Sequence, residues 1–205
     1  MEKARLVKGD LPGDLFEDFK HRGELAMDCE MMGLNPIRDR LCVVQIAADD
    51  GPCALLQVNE NLAYPNLKSL LENENVAKIF HYARLDCVFL RMRLGIQVKN
   101  IVCTKIMSRL VRTYTDRHSL KELVRELIGD KLDKSNQTSD WGREDLTADQ
   151  LYYAEMDVRH LFAAKRKLVE MLNREDRHDL AMKTLAFLPV LVELDSQGYE
   201  SIFEH

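Results

Sequence analysis

The 205 residues carry 29 Lys and Arg against 34 Asp and Glu, a formal net charge of −5, and 46% of them are hydrophobic. That balance is that of an ordinary globular protein rather than a disordered chain, and it excludes a protein that coats duplex nucleic acid by bulk charge, so a nucleic-acid contact has to come from a local patch or a metal-bridged site. The length suits one domain, 1–205, with a full core. The five cysteines form no C-x-x-C pair and read as reduced, buried thiols, and the absence of an apolar signal core or a long apolar run sets the expectation of a cytoplasmic protein with no membrane span.

After a polar lead-in, residues 24–31 read as the first strand, inside the stretch LAMDCEMMGL at 25–34. Asp28 and Glu30 are two apart and project from one face, while Met27, Cys29 and Met31 take the other. Adjacent anions repel, and such a pair persists when one is protonated, when cations lie close, or when a metal ion belongs there. A solvated antiparallel strand would carry the same pair without function; the apolar flanks favour an interior strand instead. A turn at Asn35-Pro36 leads to a second strand at 41–48, and Asp49 to Pro52 turn the chain into a third at 53–58. Turns this short predict an antiparallel meander.

Pro65 opens a helix over 66–72, a fourth strand follows at 77–81, and a helix over 83–94 stops at Gly95. A short strand at 100–103 precedes helices at 105–114 and 119–128. Alternating strands and helices predict parallel pairing with crossovers. The expected fold class is therefore α/β: a mixed sheet of three antiparallel strands and then parallel ones, with helices on both faces. The polar loop 130–145 holds the only tryptophan, Trp141. Thr147 is the expected N-cap of a long helix, with Asp149 and Gln150 in its first turn. On that helix Tyr153 and Asp157, four apart, stack on one side together with Asp149 and His160. From about 176 to 205 a last helix and an apolar tail, Phe187 through Phe203, carry more apolar residues than a solvated terminus needs, which marks an interface.

Taken singly, these residues have ordinary explanations. Asp86, one turn into its helix, suits the macrodipole, and Tyr153 with Asp157 fits a half-buried tyrosine beside a solvated acid. Their combination is more specific: DCE at 28–30, HYARLD at 81–86, SDW at 139–141 and YAEMD at 153–157, each on an element of the right type. With these motifs the chain resembles the DnaQ-like 3′ to 5′ exonucleases of the DEDDy branch, RNase D among them. More narrowly, GDLPGD, GLNPIRDRLCVVQIA, CTKI, RTYTDRHSLKEL and FLP are similar to the short bacterial NrnC-type nano-RNases. The helical HRDC domains of RNase D proper have no counterpart up to His205, which turns the expectation away from tRNA 3′ maturation.

The resemblance implies an RNase H-like fold and two divalent ions, Mg2+ or Mn2+, about 3.5 to 4 Å apart in the two-metal scheme. It implies that Asp28 bridges them, that Glu30 and Asp157 complete the first, that Asp86 serves the second directly or through water, and that Tyr153 orients the attacking water or takes its proton. The donor set agrees with this independently, since all-oxygen ligands select hard cations. Leu34 matches the position that wedges against a terminal base, the alternative being a loop leucine that caps the core. His81 ends a strand beside the site and either touches substrate or is a satisfied core histidine. Lys105, Arg109 and Arg112 fall at i, i+4 and i+7 as one basic stripe, with Arg117, His118 and Lys121 close behind; such a stripe guides phosphates or is merely solvated. Trp141 is a stacking platform for a base or the anchor of a lid.

The function expected is a metal-dependent 3′ to 5′ exoribonuclease that takes short single-stranded RNA, dinucleotides above all, down to 5′-mononucleotides. The alternatives are a general RNase D-like exonuclease on longer RNA or DNA and a binding scaffold that has lost catalysis; the scaffold predicts a missing ligand, and none of the four is missing. The resemblance also implies a homo-oligomer, an octameric ring.

Overall fold

The computed structural model describes residues 3–132 and 137–203, so four positions of the expected polar loop and the extreme ends of the chain lie outside the described residues. The lead-in is not irregular. It forms a four-residue strand, β1 (Arg5–Lys8), and a helix, α1 (Gly13–Lys20). Only Val7 of β1 is buried, so the strand has no alternation to read. Leu11, Leu15 and Phe19, each four apart, pin α1 to the core.

β2 (Glu24–Met31), β3 (Leu41–Ala47) and β4 (Cys53–Gln57) are the antiparallel meander. Helix α2 (Pro65–Leu71) leads to β5 (Ala77–Phe80), α3 (Ala83–Leu94) and β6 (Ile101–Cys103). The sheet runs β1-β4-β3-β2-β5-β6. β5 pairs parallel with β2 and with β6, as expected, and β1 adds a further parallel pairing against β4. Every residue of β3 is buried, as a strand covered on both faces must be. Met27, Cys29, Val44 and Ile46 join one apolar cluster, and Ala26, Val43, Ala47 and Leu55 the other.

Helix α4 (Thr104–Val111) is shorter than its sequence stretch suggested, and α5 (Leu120–Leu123) continues as a π-helical turn over Val124–Ile128. The long helix α6 (Ala148–Arg174) starts at a capping box: the Thr147 hydroxyl accepts from the Gln150 backbone N–H, and the Gln150 side chain accepts from that of Thr147. Tyr153, Ala154, Val158, Leu161 and Phe162 lay α6 across the second cluster. Helix α7 (His178–Ser196) covers the opposite face through Ala181, Leu185, Leu188 and Val192. Among the described residues no helix is long and apolar enough to cross a membrane.

Candidate active site

Three elements distant in sequence meet at the carboxyl end of β2. This strand is central, hydrogen-bonded to β3 on one side and β5 on the other, so its residues have little freedom. The β2–β3 register shifts between Glu30 and Met31. Irregularities of this kind re-aim side chains and gather beside active sites. From the N-terminal turn of α3 comes Asp86, and from the second and third turns of α6 come Tyr153 and Asp157. One ligand atom each from Asp28, Glu30 and Asp157 lies within 4.8 Å of the others. Asp86 shares the same cleft of about 860 Å³ with all three and with Tyr153.

The electrostatics of this cluster are self-opposed. Burial first, then the charges of Asp86, Glu30 and Asp157, push the Asp28 carboxyl well above the usual carboxylate range. Burial, then Asp157 and Asp86, do the same to Glu30, and burial alone raises Asp86. The Tyr153 phenol is also pushed up, by burial and then by Asp157 and Glu30, and it hydrogen-bonds to Asp157. A divalent cation relieves this opposition at its source. Hard oxygen donors at this spacing fit Mg2+ or Mn2+, and the cluster offers no thiolate or imidazole ligand to favour zinc.

The loop from β2 to β3 is tightly held. Asp39 accepts from the Asn35 backbone N–H at 3.0 Å, and Arg93 of α3 donates to the carbonyls of Ile37 and Asp39 at 3.0 and 2.8 Å. A Cβ on Gly33 would sit 2.1 Å from the Asp39 carboxylate, so only glycine allows this closure. The loop presents Leu34 at the cleft, 76% exposed, and it therefore does not cap the core. His81 lines the cleft too. The Thr104 hydroxyl donates to the Phe80 carbonyl at 3.0 Å, so at 2.9 Å it accepts from Nδ1–H of His81, which fixes the tautomer.

Two expectations need correction. Arg112 is not on a solvated stripe: α4 ends at Val111, the chain turns, and Arg112 is fully buried. Its guanidinium pairs with Glu126 and donates to Ser108 Oγ and to the Arg117 carbonyl at 3.0 and 2.7 Å. Arg109 and Arg117 are exposed but line no part of the cleft, whereas Lys105 does. Trp141 is no open platform for a base. It is 1% exposed, with its ring centroid 6.0 Å from that of Tyr153. Its segment is tied down by Gln150, which donates to Ser139 Oγ and the Asp140 carbonyl, both at 3.0 Å, and by Arg40, which donates to the Gly142 carbonyl at 3.2 Å. Trp141 is an anchor behind Tyr153.

Tyr82 is a further residue of the cleft with no motif to mark it in the sequence. This residue adopts φ 75°, which only a few per cent of non-glycine residues do. It is 49% exposed at the rim of the cleft, with the Lys105 ammonium 3.9 Å from its ring centroid. An aromatic directly before a helix carries no warning of such a conformation.

The pattern that defines a family of 3′-5′ exonucleases matches residues 8–173, most of the chain and all four acids. The chain belongs to this 3′-5′ exonuclease family. It is a DnaQ-like exonuclease domain with ribonuclease D relatives. Ribonuclease D of Nitrobacter hamburgensis is 31% identical over 164 residues, 80% of this chain and 43% of the relative, so the chain spans less than half the length of such relatives. Solved structures of NrnC from Brucella melitensis match over the whole of both chains. One with bound Mg2+ is 40% identical with a TM-score of 0.92, and one bound to pGG is 41% identical with a TM-score of 0.93.

Proposed function

We propose that this exonuclease hydrolyses short single-stranded RNA from the 3′ end, with dinucleotides its preferred substrate and 5′-mononucleotides its products. The observation that carries the reading is the composition of the cleft: four carboxylates and Tyr153 at its floor, one lysine, Lys105, among its described lining residues, and a rigidly held, exposed Leu34 at its rim. A cleft of about 860 Å³ suits a ligand of drug-like size. A track for a long strand needs cations in series, and the described residues of this cleft supply one lysine. The full-length likeness to NrnC, one of whose structures holds pGG, supports the same substrate class.

Asp28, Glu30, Asp86 and Asp157 would hold two divalent ions, Mg2+ or Mn2+; bound there, such ions supply charge neutralisation for in-line attack at phosphorus. Tyr153 keeps its proton and donates it in a hydrogen bond to Asp157, which leaves the phenol oxygen to accept from the incoming water and so orient it. Leu34 packs against the terminal base, and the rim at Tyr82, His81 and Lys105 meets the rest of the substrate. The apolar residues left exposed at the C-terminal end, Phe187, Val190, Ile202 and Phe203, fit burial against further copies of the chain, and the resemblance to nano-RNases supports a closed ring of eight as the form of that assembly.

The test is kcat/KM on end-labelled RNA of two and seven nucleotides with Mg2+ across a salt series. Each phosphate neutralised on a single strand adds about 0.7 to the log-log salt slope. The dinucleotide should be the better substrate, with a shallow slope for both lengths. Equal or higher efficiency on the longer RNA with a steep slope would instead establish a general RNase D-like exonuclease, and a parallel DNA series separates the two nucleic acids.

A further inference from the structure

Gln45 of β3 stands directly across from Asp28 of β2, on the face of the sheet that carries Asp28 and Glu30. It is completely buried. Its neighbours on that face are apolar: Val43 and Ala47 along the strand, and Leu55 across from it on β4, all in the cluster beneath α6. Neither its Nε2 nor its Oε1 has a hydrogen-bond partner of ordinary length and angle. A buried polar group without such partners destabilises the fold, and a methionine or leucine would fill the same space without that cost. A local rule broken in this way, with no structural return, points to function.

What lies within reach of the amide is the acid cluster. Gln45 lies opposite Asp28 and diagonal to Glu30 on the same face, which brings its amide end to the Glu30 carboxylate. We propose that Gln45 is a positioning residue of the metal centre, its amide N–H groups aimed at Glu30 so that this carboxylate presents its oxygens toward Asp28 and Asp157. The inference rests on the metal-dependent reading of the cleft. It also explains why the strand opposite the ligands carries one polar side chain in an otherwise apolar row. Donors behind metal ligands commonly set affinity by 10- to 100-fold.

The test compares the parent with Gln45→Met, which keeps the length and removes the amide. Two quantities are read besides turnover: the melting temperature in EDTA, and the Mg2+ dissociation constant by calorimetry on the full chain. The melting temperature should hold or rise, because an unsatisfied amide has gone. Mg2+ affinity should fall about 10- to 100-fold, and kcat should recover as Mg2+ is raised. A merely structural glutamine would show the reverse, a lowered melting temperature with parental Mg2+ affinity, and that result overturns the proposal. Should Gln45→Met disturb folding, Gln45→Leu removes the same amide with a shorter chain and carries the same expectation. Failure of the parent itself to bind Mg2+ would overturn the metal reading along with this one, whereas parental affinity in a folded variant overturns only the role of Gln45.

Discussion

At Asp28, Glu30 and Asp86 the folded chain holds protons more tightly than the unfolded chain does, because burial and mutual repulsion raise all three carboxyls. The folded state therefore takes up protons first as pH falls. The metal-free protein should gain stability between neutral pH and about pH 5, above the ordinary carboxylate range, by about 1.4 kcal/mol for each unit of difference. His118 works against this, since burial and then Arg112 and Arg109 hold its imidazole below the usual value. The decisive comparison is thus between melting curves in EDTA and in saturating Mg2+, where the acid gain should vanish. Mg2+ at about 100 times its Kd should add about 2.7 kcal/mol at neutral pH, and Asp28→Asn should raise the EDTA melting temperature while abolishing turnover. A melting temperature in EDTA that falls steadily from pH 7.5 to 5.5 in the parent and in Asp28→Asn alike would refute this account. Tyr153 shares the same environment but a different duty. Tyr153→Phe keeps the ring against Trp141 and removes only the hydroxyl, so kcat should drop by about 10² to 10⁴ with dinucleotide binding nearly unchanged. A Phe variant as fast as the parent would leave Tyr153 with a packing role alone.

At the level of elements, α4 shows why a correct periodicity can still misplace a side chain. Lys105 and Arg109 lie on the helix, yet the helix ends one residue before Arg112, and the turn carries that guanidinium into the protein. Arg112→Met should destabilise the fold by about 2–4 kcal/mol, discounted from a fully buried pair because Glu126 is one-third exposed, while leaving KM for a dinucleotide close to the parental value. Arg109→Ala should leave stability within about 0.5 kcal/mol. A stable Arg112→Met enzyme with a raised KM would restore Arg112 to the substrate path. Other elements were plain in the sequence for physical reasons. The period of two that pairs Asp28 with Glu30, the Thr147 cap, and the four-residue spacing of Tyr153 and Asp157 are local rules, and the fold obeys them. What stayed hidden depends on distant partners. β1 is a strand only because β4 offers it an edge, Trp141 is an anchor only because α6 places Tyr153 against the SDW segment, and Tyr82 takes its left-handed backbone where the chain passes from β5 into α3 within two residues.

For the whole molecule, the exposed apolar residues near the C-terminal end are concentrated rather than scattered. Phe187 and Phe203 stack edge to face with centroids 6.0 Å apart, yet each keeps more than 40% of its surface exposed. Light scattering at micromolar concentration should report a multimer, and Phe187→Ser with Phe203→Ser should shift it toward smaller species; a monomeric parent would remove the idea. The route of the chain through the site has a consequence for how the enzyme is made. Asp28, Glu30 and Asp86 belong to the first half of the chain, but Tyr153 and Asp157 arrive only with α6. During synthesis, as domains begin to fold from the N-terminus, the sheet can assemble while the acid set is still incomplete. The emerging chain thereby gains its full set of metal ligands, and with them its proposed activity, only when the longest of its described helices has docked.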